Sequence, residues 1–283
     1  MLRYFYFGVQ NCETFPKLAT KILPFFKKHV ILASKSTFRM EFTYLHLDQT
    51  DSTNAYLQRK LAECDIRNWV VSADEQTAGK GMGSNGWESE PGKNLTFSMA
   101  LDVGFLPAER QFLLSEAVAL GLAEALVAVL PADKLRIKWP NDIYFENRKL
   151  AGILINSTIK ANKMDVSIIG IGLNVSQMQF KDWPTHPISL RQITGKEYAL
   201  QPLLEQVAES IYNKVEILNS SPAAIEQDYL QRLFRYRTWA DYEVDGKAMR
   251  LFMTGIDPFG QLQLVDEQQV LHSFDVKEIK FVL

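Results

Sequence analysis

Hydrophobic and polar positions change period several times along the chain, and each change marks an element. Phe42-Thr43-Tyr44-Leu45-His46-Leu47-Asp48 alternates with period two, the pattern of a half-buried strand. Asp51-Ser52-Thr53-Asn54 offers N-cap residue types for a helix over 55–63. A buried strand is predicted over 69–73, a glycine-rich loop over 74–92 and a further strand over 95–103. The mostly apolar stretch 113–130 reads as a long helix, opened by Pro107-Ala108-Glu109-Arg110. Strands follow at 135–139, 142–146, 150–160 and 164–170, the last two joined as a hairpin by the polar turn 160–163. A loop containing Pro184 and Pro187 leads to helices at 200–219 and 222–233. From Tyr236 the texture becomes short alternating strands with turns at Asp245-Gly246 and Asp257-Pro258-Phe259-Gly260, which predicts a separate small β-barrel.

Composition narrows the class. The chain has 283 residues and a net charge of −2 from 31 basic and 33 acidic residues, which argues against a chain-wide nucleic-acid footprint. Cys12 and Cys64 make neither metal-ligand spacing nor a disulfide framework, and His29, His46, His186 and His272 form no metal motif. The apolar segment 22–33 is interrupted by Pro24 and Lys27-Lys28, so neither a membrane span nor a signal peptide is expected, and a reducing cytoplasm fits best. Residues 1–41 carry no clean period and are compatible with a helix near 15–28, an arm or an extension.

Four stretches carry candidate chemistry. Side chains of Ser52, Thr53 and Asn54, at a helix start, either cap the helix or bond the polar head of a small ligand. Between Glu75 and Ser89, Gly79, Gly81, Gly83 and Gly86 rule out regular structure; such a loop is either flexible surface or a cradle whose backbone N–H groups meet a phosphate. Lys80 adds charge there, but the spacing is not that of a Walker loop. Lys138 ends an apolar strand before the turn Pro140-Asn141-Asp142, a position beside a cleft. Gly152 lets a ligand approach a strand closely or marks a bulge. Gly170-Ile171-Gly172-Leu173-Asn174 closes the last strand, and Trp183 either stacks on a ring or packs.

Lys138-Trp139-Pro140-Asn141-Asp142, followed by Lys149-Leu150-Ala151-Gly152-Ile153-Leu154 and preceded by Asp51-Ser52-Thr53-Asn54, resembles the signature of the biotin–protein ligases. The resemblance implies an α+β fold: a mixed β-sheet backed by helices, like class II synthetases, with a small C-terminal SH3-like β-barrel. It divides the chain into an extension (1–41), a catalytic domain (42–235) and the barrel (236–283). It implies activation of biotin with ATP and Mg²⁺ to biotinyl-5′-AMP, then transfer to a lysine of a biotin carboxyl carrier domain. It assigns Ser52, Thr53, Asn54, Gln76, Gly79, Lys80, Gly81, Met82, Lys138 and Gly152 to biotin. Lys80, Gly81, Trp87, Asn141 and Asn174 fall to the nucleotide, with Lys138 and Lys80 as the catalytic charges and no protein metal site. The glycine-rich loop departs from the family's pattern: Lys80 stands for an arginine, Met82 offers no second one, and none occurs between Arg67 and Arg110. Lysine is a point charge and does not fork onto two oxygens. No helix-turn-helix is visible, so the type without a DNA-binding domain is expected, with no DNA partner and a homodimer left open. A lipoate–protein ligase and a non-catalytic biotin sensor are the rival readings.

Overall fold

The computed structural model describes residues 41–83, 86–181, 183 and 185–282. The expectations for the extension therefore lie outside the described residues, apart from Glu41. Strand β1 (Thr43–Thr50) and strand β2 (Trp69–Gln76) pair in parallel and are joined by helix α1 (Thr53–Leu61). A parallel pair needs such a crossover. Strand β3 (Leu95–Asp102) runs antiparallel to β2, and helix α2 (Phe112–Val127) then leaves the sheet. Strands β4 (Leu135–Lys138), β5 (Asp142–Phe145), β6 (Arg148–Lys160) and β7 (Lys163–Leu173) complete a seven-stranded mixed sheet in the order β1-β2-β3-β7-β6-β5-β4.

Alternation along the strands sends one set of side chains to each face. Val70, Phe97, Met99, Ile169 and Ile171 join the main core with α2 and with helices α4 (Leu200–Ser220) and α5 (Pro222–Arg232). Helix α2 is apolar nearly all round because it is covered on both sides; a Cβ on Gly121 would lie 2.5 Å from the Ile211 backbone of α4. Val71, Ala100, Val166 and Ile168 face the other way and bury Leu57 of α1. Full burial of one such leucine contributes about 1.5–3 kcal/mol.

The short helix α3 (Leu190–Thr194) was not expected, yet its sequence signal is present: Ser189 and Gln192 form a capping box and Gly195 closes the helix at φ 71°. Cys64 is disulfide-bonded, against the expectation for the two cysteines.

Strands β8 (Trp239–Val244), β9 (Lys247–Ile256), β10 (Leu262–Val265), β11 (Leu271–Phe274) and β12 (Ile279–Phe281) form a second, antiparallel sheet in the order β11-β10-β9-β8-β12. It is an open sheet where a closed barrel was expected: the order ends on β11 and β12 without pairing them. Asp245 and Gly246, both at positive φ, make the tight turn between β8 and β9. Tyr242, Leu251, Met253 and Leu262 are continuous with the core of the first sheet. The Trp139 indole N–H donates to the Gly260 carbonyl at 2.9 Å, tying the turn after β4 to the second sheet.

Candidate active site

Three glycines make the floor of a pocket on the α1 face of the sheet. Gly152 of β6 pairs with Gly172 of β7, and Gly170 pairs with Leu154 on one side and Ser98 on the other. A Cβ on Gly170 would collide with the Asn54 carboxamide, and one on Gly172 with the Trp87 indole. These positions are strand interior, where the sequence reading ended the strand at Gly170; the missing side chains let others lie flat on the sheet.

The polar end is built from α1. Ser52 occupies the N-cap position, but its hydroxyl makes no cap bond. The Gln76 carboxamide oxygen at the end of β2 caps the helix instead, accepting from the Thr53 amide at 2.8 Å and its hydroxyl at 3.2 Å. Ser98 Oγ lies 2.6 Å from Thr53 Oγ1 and 2.5 Å from Asn54 Oδ1. The Asn54 amide donates to the Leu154 carbonyl and to Asn156 Oδ1, both at 3.1 Å. Ser52, Thr53, Asn54 and Ser98 are buried, so each polar atom needs a partner in the protein or a ligand. Asp51 stays outside, held by Arg59 at 2.7 Å; that pairing pushes its carboxyl well below the usual range.

The glycine-rich loop closes one side. Trp87 N donates to the Gly79 carbonyl, and Lys80 bridges to Gly86. This places Gln76, Lys80, Gly81, Met82, Gly86 and Trp87 on the pocket wall. Gly79 packs directly behind: a Cβ there would sit 2.7 Å from the Trp87 carbonyl oxygen. The Trp87 indole N–H is buried without a partner.

The charged end differs from expectation. Lys138 does not line the pocket. Its ammonium lies 4.6 Å from the Phe281 ring centre and 5.4 Å from that of Tyr144, at the junction with the second sheet, and burial lowers its pKa. Besides Lys80 on the loop, the lysine that lines the pocket is Lys149, at the start of β6 in the second half of the same signature. Its ammonium sits 2.8 Å from Asp142 Oδ1 and 5.9 Å from the Trp87 ring centre. Two lysines fit a strand-end site in the sequence, and pattern alone does not say which strand is the edge. In the fold β4 is the edge strand, whereas β6 adjoins the glycine floor.

Asn141 lines the pocket and locks the turn: its amide donates to the Ile153 carbonyl at 2.5 Å, and its carbonyl accepts from the Ile153 amide. Asn174 is outside the lining. It is buried, and its amide reaches the carbonyls of Lys149 and Ile188 at 3.4 and 3.2 Å, which fixes the backbone that carries Lys149. Trp183 does not reach the pocket either; its indole N–H donates to Glu88 Oε2 at 2.6 Å. Asp142 is the one carboxylate lining the pocket among the described residues. A separate group, His46, Asp48 and Asp74, brings metal-type donors within 4.8 Å on β1 and β2, where His46 pairs with Asp74 at 3.4 Å.

A polar pocket end, an anion-attracting end and a glycine floor on a mixed sheet fit a small-molecule site rather than a scaffold surface. Comparison with known proteins supplies the class. The profile of the Biotin/lipoate A/B protein ligase family matches residues 47–174. The biotin–[acetyl-CoA-carboxylase] ligase of Paracoccus denitrificans is 33% identical over 169 residues, covering 57% of this chain and 68% of that protein. The bifunctional ligase/repressor BirA of Escherichia coli is 38% identical over 132 residues, 47% of this chain. The match spans only 40% of that protein's length. A biotin protein ligase from Aquifex aeolicus, solved with biotin and ATP, shares the fold at a TM-score of 0.68 and 23% identity, over 84% of this chain and 99% of that one. The chain belongs to the biotin–protein ligase family.

Proposed function

We propose that this protein activates biotin with ATP and transfers it to a lysine of a biotin carboxyl carrier domain. One observation carries the reading. A single pocket joins neutral hydrogen-bonding groups (buried Ser52, Thr53 and Asn54, and half-buried Gln76) to ammonium groups (Lys149, Lys80) across a floor without side chains. The neutral end suits a uncharged ring system with donors and acceptors. The glycine strip suits a flat or extended chain, and the cationic end suits a carboxylate meeting a phosphate.

In the first step a biotin carboxylate oxygen bonds to the α-phosphorus of ATP, the bond to the β-phosphate bridging oxygen breaks, and pyrophosphate leaves. Two anions must approach, so the site supplies positive charge where they meet. Lys149 takes that role in place of Lys138, with Asp142 holding its ammonium and Asn174 its backbone. Lys80, exposed on the loop, adds a second charge, and Gly81 and Met82 lie beside it. Trp87, above Gly152 and Gly172, is placed to shield the mixed anhydride from water. In the second step the carrier lysine's neutral amine attacks the acyl carbon and AMP leaves. No protein nucleophile is needed in either step.

Mg²⁺ fits this pocket as an ion carried by the nucleotide. The lining's one carboxylate among the described residues, Asp142, is engaged by Lys149, so phosphate oxygens would provide most ligands. When bound, the ion neutralises phosphate charge. We treat 42–235 as the catalytic domain and 236–283 as an accessory one. The partners proposed are biotin, ATP and a carboxylase carrier domain, with no DNA and with a homodimer not required; the compartment proposed is the cytoplasm, where ATP is available. No helix among the described residues is long and apolar enough to cross a membrane.

The test is transfer of labelled biotin to a purified biotin carboxyl carrier domain with ATP, against lipoate as competitor. Labelling that survives excess lipoate supports the reading. Preferential transfer of lipoate would move the protein to the rival branch, and binding of biotin without ATP turnover would make it a sensor.

A further inference from the structure

Trp87 forms part of the pocket wall. Its indole N–H has no partner, and its ring rests on two glycines. What fixes it is the chain on either side. Upstream, its amide is bonded to Gly79. Downstream, Glu88 is gripped from outside the pocket. The Trp183 indole N–H donates to Glu88 Oε2 at 2.6 Å, and the Lys181 ammonium lies 3.9 Å from Oε1. The Glu88 side chain is 25% exposed, so its charge is partly withdrawn from water and the bond to it is charge-assisted. Two residues on, the Glu90 amide donates to the Gln177 carboxamide, which also accepts from Asn94.

Trp183, Lys181 and Gln177 belong to the connection between β7 and α3, and the same connection is bonded to the backbone of Lys149. The Lys149 amide donates to the carbonyls of Thr185 and His186 at 3.3 and 3.2 Å, and the Ile188 amide donates to the Lys149 carbonyl at 2.9 Å. One segment therefore holds the strand of the pocket lysine and the residue next to the pocket tryptophan.

We infer that Glu88 and Trp183 are positioning residues: their bond holds Trp87 down on Gly152 and Gly172 and so sets how long the adenylate is retained. Neither side chain lines the pocket. Losing a charge-assisted bond of this kind corresponds to roughly a tenfold change in rate. The inference rests on the ligase reading, and the experiment separates the two.

The variants are Glu88→Gln, Trp183→Phe and their combination, each also made with Trp87→Phe. Expected is an adenylate release rate about tenfold higher in each single variant, a raised KM for ATP, unchanged biotin affinity, and no further change in the combined variant. With Trp87→Phe already present, Glu88→Gln should change nothing more. A release rate equal to wild type in both singles, or a full Glu88→Gln effect persisting without Trp87, overturns the proposal. Acrylamide quenching assigned to Trp87, taken as wild type minus Trp87→Phe, reads the same latch without turnover and should rise in Glu88→Gln. Wild-type protein with no biotin-dependent ATP turnover defeats the ligase reading; unchanged quenching in Glu88→Gln defeats the latch.

Discussion

At the scale of single residues, the account turns on which lysine meets the two anions. Lys149→Ala is expected to slow adenylate formation by roughly 10- to 150-fold, the equivalent of one charge-assisted bond of about 1.5–3 kcal/mol. Lys138→Ala should stay within about threefold of wild type in the same assay, because its ammonium faces Phe281 and Tyr144. Single-turnover rates of pyrophosphate release check both, and the opposite ranking would restore Lys138 to the site. Met82 gives a second prediction. It lines the pocket where a charge is absent, so Met82→Arg should slow adenylate release roughly 10- to 150-fold if the guanidinium reaches the phosphate. Stopped-flow release that is unchanged or faster means the charge is already supplied by neighbours. That Ser52, Thr53, Asn54 and Gln76 line one pocket was legible because their order and spacing are local. That Lys149 lines the pocket was not legible, because it depends on β6 forming part of the glycine floor, a pairing that no short stretch encodes.

At the scale of elements, helix α2 carries an unusual group. Glu116 is buried, one of its carboxylate oxygens has no partner, and burial, with Glu226 of α5 nearby, pushes its pKa up to about 8. The folded-state value lies above the unfolded value of 4.5, so the neutral acid is the form that folding favours. The stability linked to it is fully present below pH 4.5 and is lost as pH rises to about 8. Glu116→Gln stays neutral throughout. Its melting temperature relative to wild type should therefore climb between pH 5 and pH 9, by roughly 5 °C or more. Scanning calorimetry at several pH values measures this; a gap that does not change with pH means Glu116 is ionised and paired in the folded state. The long helices α2, α4 and α5 were readable to within three residues at each end, since their apolar periods are long. β7 ran past the predicted end, because Gly170 and Gly172 signal a break locally yet serve to admit Asn54 and Trp87. Tertiary contact overrode the local signal there.

At the scale of the whole molecule, the two sheets share one core and are pinned by the bond from Trp139 to Gly260. Unfolding should therefore be a single cooperative transition, and Trp139→Phe should lower its midpoint by roughly 3–8 °C by leaving the Gly260 carbonyl unpaired. Two separated transitions would show that the C-terminal sheet folds on its own. The change of texture at Tyr236 falls just before β8 opens the second sheet, but strand alternation did not say whether that sheet closes into a barrel or that its core is continuous with the first. The account's central claim is that the pocket joins biotin to the α-phosphate of ATP. Biotin-dependent ATP–pyrophosphate exchange on the purified chain tests it most directly. The account predicts exchange that requires biotin, is not supported by lipoate, and falls roughly 10- to 150-fold in Lys149→Ala. Exchange that is absent, independent of biotin, or undiminished in Lys149→Ala would contradict it.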